Sequence, residues 1–213
     1  MFTVQDNLLF DEILKTRRSC RKFTEEVPTR EEIEAVVEAG RLAPYASISS
    51  QDVEVFRHFF VMTKGHPLLP EIDRLIRQQG GKDAEWLRGE MEKDPFLAEY
   101  GVGLEAMWSR FETNGVSVFP DPPCLIVLAE WRGARRAERQ SLAHTIQNMW
   151  LKATALNLDF NMISVMESMV DNEEFCSLFG LPVGRYGFHG CVIGHREAEK
   201  LTSKPIRAQV HWL

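Results

Sequence analysis

Two strand-like runs, Val53–Met62 and Cys124–Ala129, are held apart by about 60 residues of polar, helical pattern. A regular β-α-β alternation links neighbouring strands through one helix, so this spacing predicts an α+β chain instead. The first run is rich in β-formers (Val53, Val55, Phe56, Phe59, Phe60 and Val61). The second follows Asp121-Pro122-Pro123 and is apolar throughout, the pattern of a buried strand. Between them the periodicity predicts helices near 67–79, 83–93 and 104–112, with Gly80-Gly81 and Asp94-Pro95 as punctuation.

The longest helix is predicted over about 137–157. Leu142, Ile146, Met149, Trp150, Ala153 and Leu156 give it a wide apolar stripe, as expected of a central, buried helix. A helix over about 6–17 is expected to turn Phe10, Ile13 and Leu14 inward. Another opens after Pro28 with the capping pair Thr29 and Glu32, carries Ile33, Val36, Val37 and Gly40 at helical spacing, and ends at Ala43-Pro44. A polar loop, Tyr45 to Asp52, leads to the first strand. Strands near 159–166 and 188–194, a short helix at 171–179 and an extended tail over 209–213 complete a single domain, residues 1–213.

Composition narrows the function. A formal net charge of −6 argues against a general nucleic-acid binder, which normally presents a basic face. The longest apolar run, Cys124–Ala129, is far too short to span a membrane, and Gln5, Asp6, Asp11 and Glu12 do not fit a signal peptide. Cys20, Cys124, Cys176 and Cys191 lack C-x-x-C spacing and read as reduced thiols of a cytoplasmic protein. The six histidines show no metal-ligand spacing, so no metal is expected. Gly101-Val102-Gly103-Leu104-Glu105-Ala106 fits G-x-G-x-x-A, but a functional copy must follow a strand and this one follows the polar stretch Asp94–Tyr100.

The chemistry-bearing feature is Arg17-Arg18-Ser19-Cys20-Arg21-Lys22-Phe23, with four cations and a hydroxyl just where the first helix is predicted to end. Arginine forks beside a serine hydroxyl suit a phosphate. On charge alone, a solvated junction or a counter-charge for Glu25-Glu26 is the better account, because surface charge clusters are common. The run resembles the opening R-R-S-x-R-x-F motif of the nitroreductase family, and the resemblance continues in family order. Gly40-Arg41-Leu42-Ala43-Pro44-Tyr45 is similar to A-x-L-A-P-S. Ala143, Asn148, Met149, Leu151, Ala153, Leu156 and Leu158 fit the family's central helix. Leu178-Phe179-Gly180-Leu181-Pro182, Val192-Ile193-Gly194-His195 and Lys204-Pro205-Ile206 with Val210-His211-Trp212 resemble its later blocks.

The resemblance implies a three-layer α-β-α fold with a mixed, mainly antiparallel sheet flanked by helices. It also implies FMN at the interface of a homodimer, NADH or NADPH as reductant, ping-pong turnover and no catalytic side chain. Arg17, Arg18, Ser19 and Arg21 match the phosphate and ribityl ligands. Pro44, Tyr45, Ala46 and Ser47 match the segment that reaches FMN from the partner subunit, with Gln51 in the place of a family glutamine if one residue is inserted. Ile163, Ser164 and Val165 fall where a backbone N–H meets flavin N5, and Lys204 where a tail cation approaches the phosphate. This chain departs from the family at Ile48 and Asp52 and lacks the usual glycines after Asn157. Those changes lie around the flavin ring and acceptor. The segment 84–118 has the place of the lid in the iodotyrosine-deiodinase-like branch. Gated reductive dehalogenation is therefore an alternative to nitroaromatic or quinone reduction. A flavin-binding or flavin-degrading protein without nicotinamide turnover is another.

Overall fold

The apolar run beginning at Cys124 forms β2 (Cys124–Trp131), an interior strand buried from Cys124 to Glu130. It lies between β1 (Arg57–Thr63) and β4 (Tyr186–Gly194), and β3 (Asp159–Met162) closes the far edge in the order β1-β2-β4-β3. The computed structural model describes residues 1–45, 54–199 and 208–212. Its helices are α1 (Val4–Thr16), α2 (Arg30–Arg41), α3 (Leu69–Met91), α4 (Pro95–Tyr100), α5 (Val102–Asn114), α6 (Glu138–Ala155) and α7 (Glu173–Leu178).

Successive residues of a strand point to opposite faces, and both faces of β2 are apolar. Leu125, Val127 and Ala129 pack with Leu69, Ile72 and Ile76 of α3 and Phe175 of α7. Cys124, Ile126 and Leu128 pack with Val36 of α2 and with Leu142, Ile146 and Met149 of α6. Helices therefore cover both sides of the sheet, giving the three layers. Each fully buried aliphatic side chain contributes about 1.5–3 kcal/mol against its exposed state. Thr29 and Glu32 cap α2 reciprocally, and α2 lies close on α6 because Gly40 has no side chain. A Cβ there would sit 2.9 Å from Phe59 Cε1 and 3.0 Å from Met149 Cγ.

The sheet is mainly antiparallel, as expected: among the described residues all strand pairs are antiparallel, and the parallel component is a single bridge, Ser19 to Phe160. Three expectations are corrected. The helices expected at 67–79 and 83–93 are one, because α3 runs through Gly80-Gly81. Those glycines let α5 approach: a Cβ on Gly80 would lie 2.7 Å from Phe111 Cβ. Helix α1 buries no residue; Phe10 and Leu14 are exposed, since α1 lies outside the packed layers. The strand expected over 159–166 ends at Met162. Ile163 N–H donates to the Gly190 carbonyl (2.7 Å), and the chain then turns into a 3-10 helix, Ser164–Met169. In keeping with the sequence reading, Gly101 joins α4 to α5 and no strand precedes the G-x-G-x-x-A run. Residues 208–212 carry no helix or strand, and Trp212 is exposed.

Candidate functional site

Helix α1 ends where the cations begin. Arg17 N–H donates to the Ile13 carbonyl (3.0 Å), and Arg17 itself has left helical geometry (ψ 118°). The chain then runs along the open edge of the sheet. Ser19 bridges Phe160 of β3, and Cys20 N–H donates to the Phe160 carbonyl at 2.9 Å. Further on, Thr24 N–H donates to the His195 carbonyl (2.8 Å), and Phe23 bridges Arg196. The corner is fixed by Arg196, whose Nε donates to buried Asp159 at 2.7 Å. That hydrogen bond raises the Arg196 pKa. Cys20 points inward, and burial pushes its thiol up.

This backbone pairing fixes where the head groups stand. The Arg17 guanidinium lies 4.2 Å from the centre of the Trp150 ring, and Trp150 stacks on Phe160 at 5.0 Å. Ser19, Arg21 and Lys22 are exposed. Trp150 also lines a cavity of about 300 Å³ that follows α6 back to Leu142 and Arg139, with Met162 and Phe188 among its other walls. That volume lies at the lower bound of small-molecule sites, roughly 300–1,000 Å³. The cation run and the cavity therefore meet at Trp150.

The cavity's polar wall has a buried member. His189 Nε2 lies 3.1 Å from Glu167 Oε1, and this hydrogen bond lowers the Glu167 pKa. Glu138, also buried, accepts from Gly133 N–H at 3.1 Å and lies 3.6 Å from Arg132. Met162 and Glu167 flank the expected flavin segment: Ile163 and Val165 are buried, Ser164 is exposed, and no side chain caps the turn they open.

Pro44 and Tyr45 lie elsewhere, by the outer strand β1. Arg57 donates to the carbonyls of Gly40 (3.1 Å), Ala43 (3.0 Å) and Pro44 (3.2 Å), and its Nε to buried Glu130 at 2.8 Å. Burial pushes the Glu130 carboxyl up and Arg57 opposes it. Tyr45 stacks on Phe56 at 5.6 Å. Within one chain, then, the structure brings together Arg17–Arg21 and Ile163–Val165 around β3, and sets Pro44 and Tyr45 at the opposite sheet edge. Ala46, Ser47, Gln51 and Lys204 lie outside the described residues.

Trp150, Glu167 and His189 were not singled out from the sequence as site residues. Trp150 was legible only as part of a core stripe. A histidine inside the otherwise apolar strand at 188–194 was the one available signal.

No curated protein matches the chain. Among solved structures it is similar to a nitroreductase with bound FMN from Bacteroides fragilis NCTC 9343, with a TM-score of 0.68 and 20% identity over 96% of this chain and 97% of that one. A nitroreductase with bound FMN from Desulfitobacterium hafniense DCB-2 gives a TM-score of 0.66 and 21% identity over 100% of both chains. A putative NADH oxidase from Clostridium acetobutylicum gives 0.54 and 20% over 88% and 89%. These likenesses concern the fold. The nitroreductase family model matches residues 14–195, spanning both the edge-bound cation run and the sheet that carries it, and the chain belongs to that family.

Proposed function

We propose that this protein is an FMN-dependent oxidoreductase that reduces nitroaromatic, quinone or related small acceptors with NADH or NADPH. The observation that carries this reading is the seating of Arg17–Arg21 on the edge of β3, with Arg17 over Trp150, which lines the cavity. The donor set fits the cofactor. The Ser19 hydroxyl and the Arg21 head group make no hydrogen bond or ion pair among the described residues and are free to meet a phosphate. The FMN-bound relatives support the same assignment.

When bound, FMN would supply the hydride chemistry that links a nicotinamide donor to the acceptor in alternate half-reactions. The protein binds, orients and shields. Arg17, Arg18, Ser19 and Arg21 hold the phosphate and ribityl chain, with Lys204 joining from the tail. Ile163, Ser164 and Val165 set the backbone beside N5. Pro44, Tyr45, Ala46, Ser47 and Gln51 reach the flavin of a second copy. A homodimer is supported by the place of Pro44 and Tyr45 at the far sheet edge and by Leu8, Leu9, Phe10 and Leu14, all exposed on α1. We place the protein in the cytoplasm; among the described residues no helix is long and apolar enough to cross a membrane. Residues 84–118 act as a lid. The exposed aromatic groups Trp86, Phe96 and Tyr100 on that segment favour substrate-gated reduction, dehalogenation included, as the second reading.

The purified protein should be yellow, release FMN on denaturation and oxidise NADH or NADPH when given a nitroaromatic or quinone. Each charge-assisted hydrogen bond is worth about 1.5–3 kcal/mol, so Arg17→Ala with Arg21→Ala should weaken FMN binding by at least roughly tenfold in a fluorescence titration. Unchanged affinity would remove the phosphate assignment. A flavin spectrum without nicotinamide oxidation would favour a flavin-binding role.

A further inference from the structure

The cavity carries charge away from Trp150 that the flavin reading does not use. Arg132, Arg136 and Arg139 line it together with Glu138 and Glu167. Both carboxylates are committed, Glu138 to Gly133 N–H and Arg132, and Glu167 to His189. Arg132 is committed too, donating to the Gly184 carbonyl at 3.1 Å. Arg136 and Arg139 are exposed and neither makes a hydrogen bond or ion pair among the described residues, although the charge of Arg139 acts on the Glu167 carboxyl. Elsewhere in this acidic chain Arg30, Arg41, Arg57, Arg74, Arg88 and Arg196 each have a carboxylate partner. Arg136 also holds left-handed backbone (φ 59°), which side-chain-bearing residues seldom adopt.

Between these arginines and Trp150, Leu142, Ile146, Met162 and Phe188 supply apolar surface, while Gln147 and His189 add polar groups. Arg139 stands 11 residues before Trp150 on α6, about 16 Å along the helix axis, so it lies well away from Arg17 over Trp150. Met162 and Glu167 flank Ile163–Val165, so a flat molecule in the cavity lies beside the segment assigned to flavin N5.

We infer that this cavity selects acceptors carrying an anionic group on an aromatic body, with Arg136 and Arg139 binding the anion. A guanidinium pair suits a carboxylate or sulfonate, and the apolar surface suits the ring. The inference rests on the flavin reading for what happens to the acceptor, but the binding itself does not need turnover.

The test is isothermal titration of flavin-loaded protein, without reductant, with benzenesulfonate and with its neutral analogue benzenesulfonamide. Flavin content is read separately from the visible spectrum, so failure of the cofactor reading shows there and not in the titration. Benzenesulfonate should bind at least roughly tenfold more tightly, as expected of a paired charge-assisted contact. The double variant Arg136→Asn, Arg139→Gln should erase that preference and leave benzenesulfonamide unchanged; asparagine tolerates the left-handed backbone at 136. Equal affinities in the parent protein would overturn the inference. So would a double variant that loses both ligands alike, or displacement of FMN by the sulfonate, which would give the cavity to the flavin. A variant that loses NADP⁺ affinity while keeping benzenesulfonate would assign the arginines to the reductant and overturn it as well.

Discussion

Alanine at Gly89 should stabilise this protein, whereas alanine at Gly80 should leave its stability unchanged or lower it. Both glycines lie inside α3, so both substitutions gain about 1 kcal/mol of helix propensity. At Gly89 nothing lies within 4 Å of the new Cβ, and the gain should appear undiminished. In a chain of this length that is a rise of about 2–4 °C in Tm. At Gly80 the new Cβ meets Phe111 Cβ at 2.7 Å and the Trp108 carbonyl oxygen at 3.2 Å. One is the root of a side chain and the other is backbone, so neither can rotate aside and α5 must move as a body. Overpacking of this kind costs about 1–3 kcal/mol, which cancels the propensity gain or exceeds it by up to about 2 kcal/mol. Gly81→Ala is the internal control: its Cβ meets the Glu112 carboxyl at 2.9 Å, the end of a flexible exposed side chain, so it should be better tolerated than Gly80→Ala. Thermal melts of the three variants, with hydrogen exchange over residues 102–114, measure the effect. Faster exchange confined to α5 in Gly80→Ala is the expected signature. If Gly80→Ala stabilises as much as Gly89→Ala, α5 is not seated on α3 as described. The segment proposed as a lid would then be free already in the ligand-free protein.

Arg196→Ala should destabilise by about 3–5 kcal/mol in urea melts, because it strands the buried Asp159 carboxylate beside the cation run. A loss under about 1 kcal/mol would mean that Asp159 is solvated in the native state. The thiols of Cys124, pushed up to about 12 by burial, and of Cys191, also raised by burial, should resist Ellman's reagent around pH 8 until the protein unfolds. Rapid labelling of either in native buffer would contradict the buried β2–β4 core.

Much of the fold is written locally. The Thr29–Glu32 cap, the α6 stripe and the apolar run at 124 each specify their element through neighbours in sequence, and each formed. The order of motifs from Arg17 onward likewise carried the family, since it survives without any knowledge of contacts. What sequence periodicity could not carry is who lies opposite whom. Gly80-Gly81 looks like a helix break by propensity, yet packing against α5 turns missing side chains into a reason for continuity. The apolar face of α1 predicts burial, but the described residues offer it no covering layer, and only another surface can supply one. The strand at 159 stops early because, after Ile163 N–H makes its ladder bond to the Gly190 carbonyl, the chain turns into the 3-10 helix Ser164–Met169 and buries Val165, Met166 and Met169, a packing the sequence pattern does not announce. The cavity is the clearest case. Trp150, Glu167, His189 and the arginines at 136 and 139 come from three separate stretches of chain, and none of them signals a site alone. Their meeting depends on β3 being shorter than β4, and strand length here was decided by the tertiary packing of the 3-10 helix that follows β3.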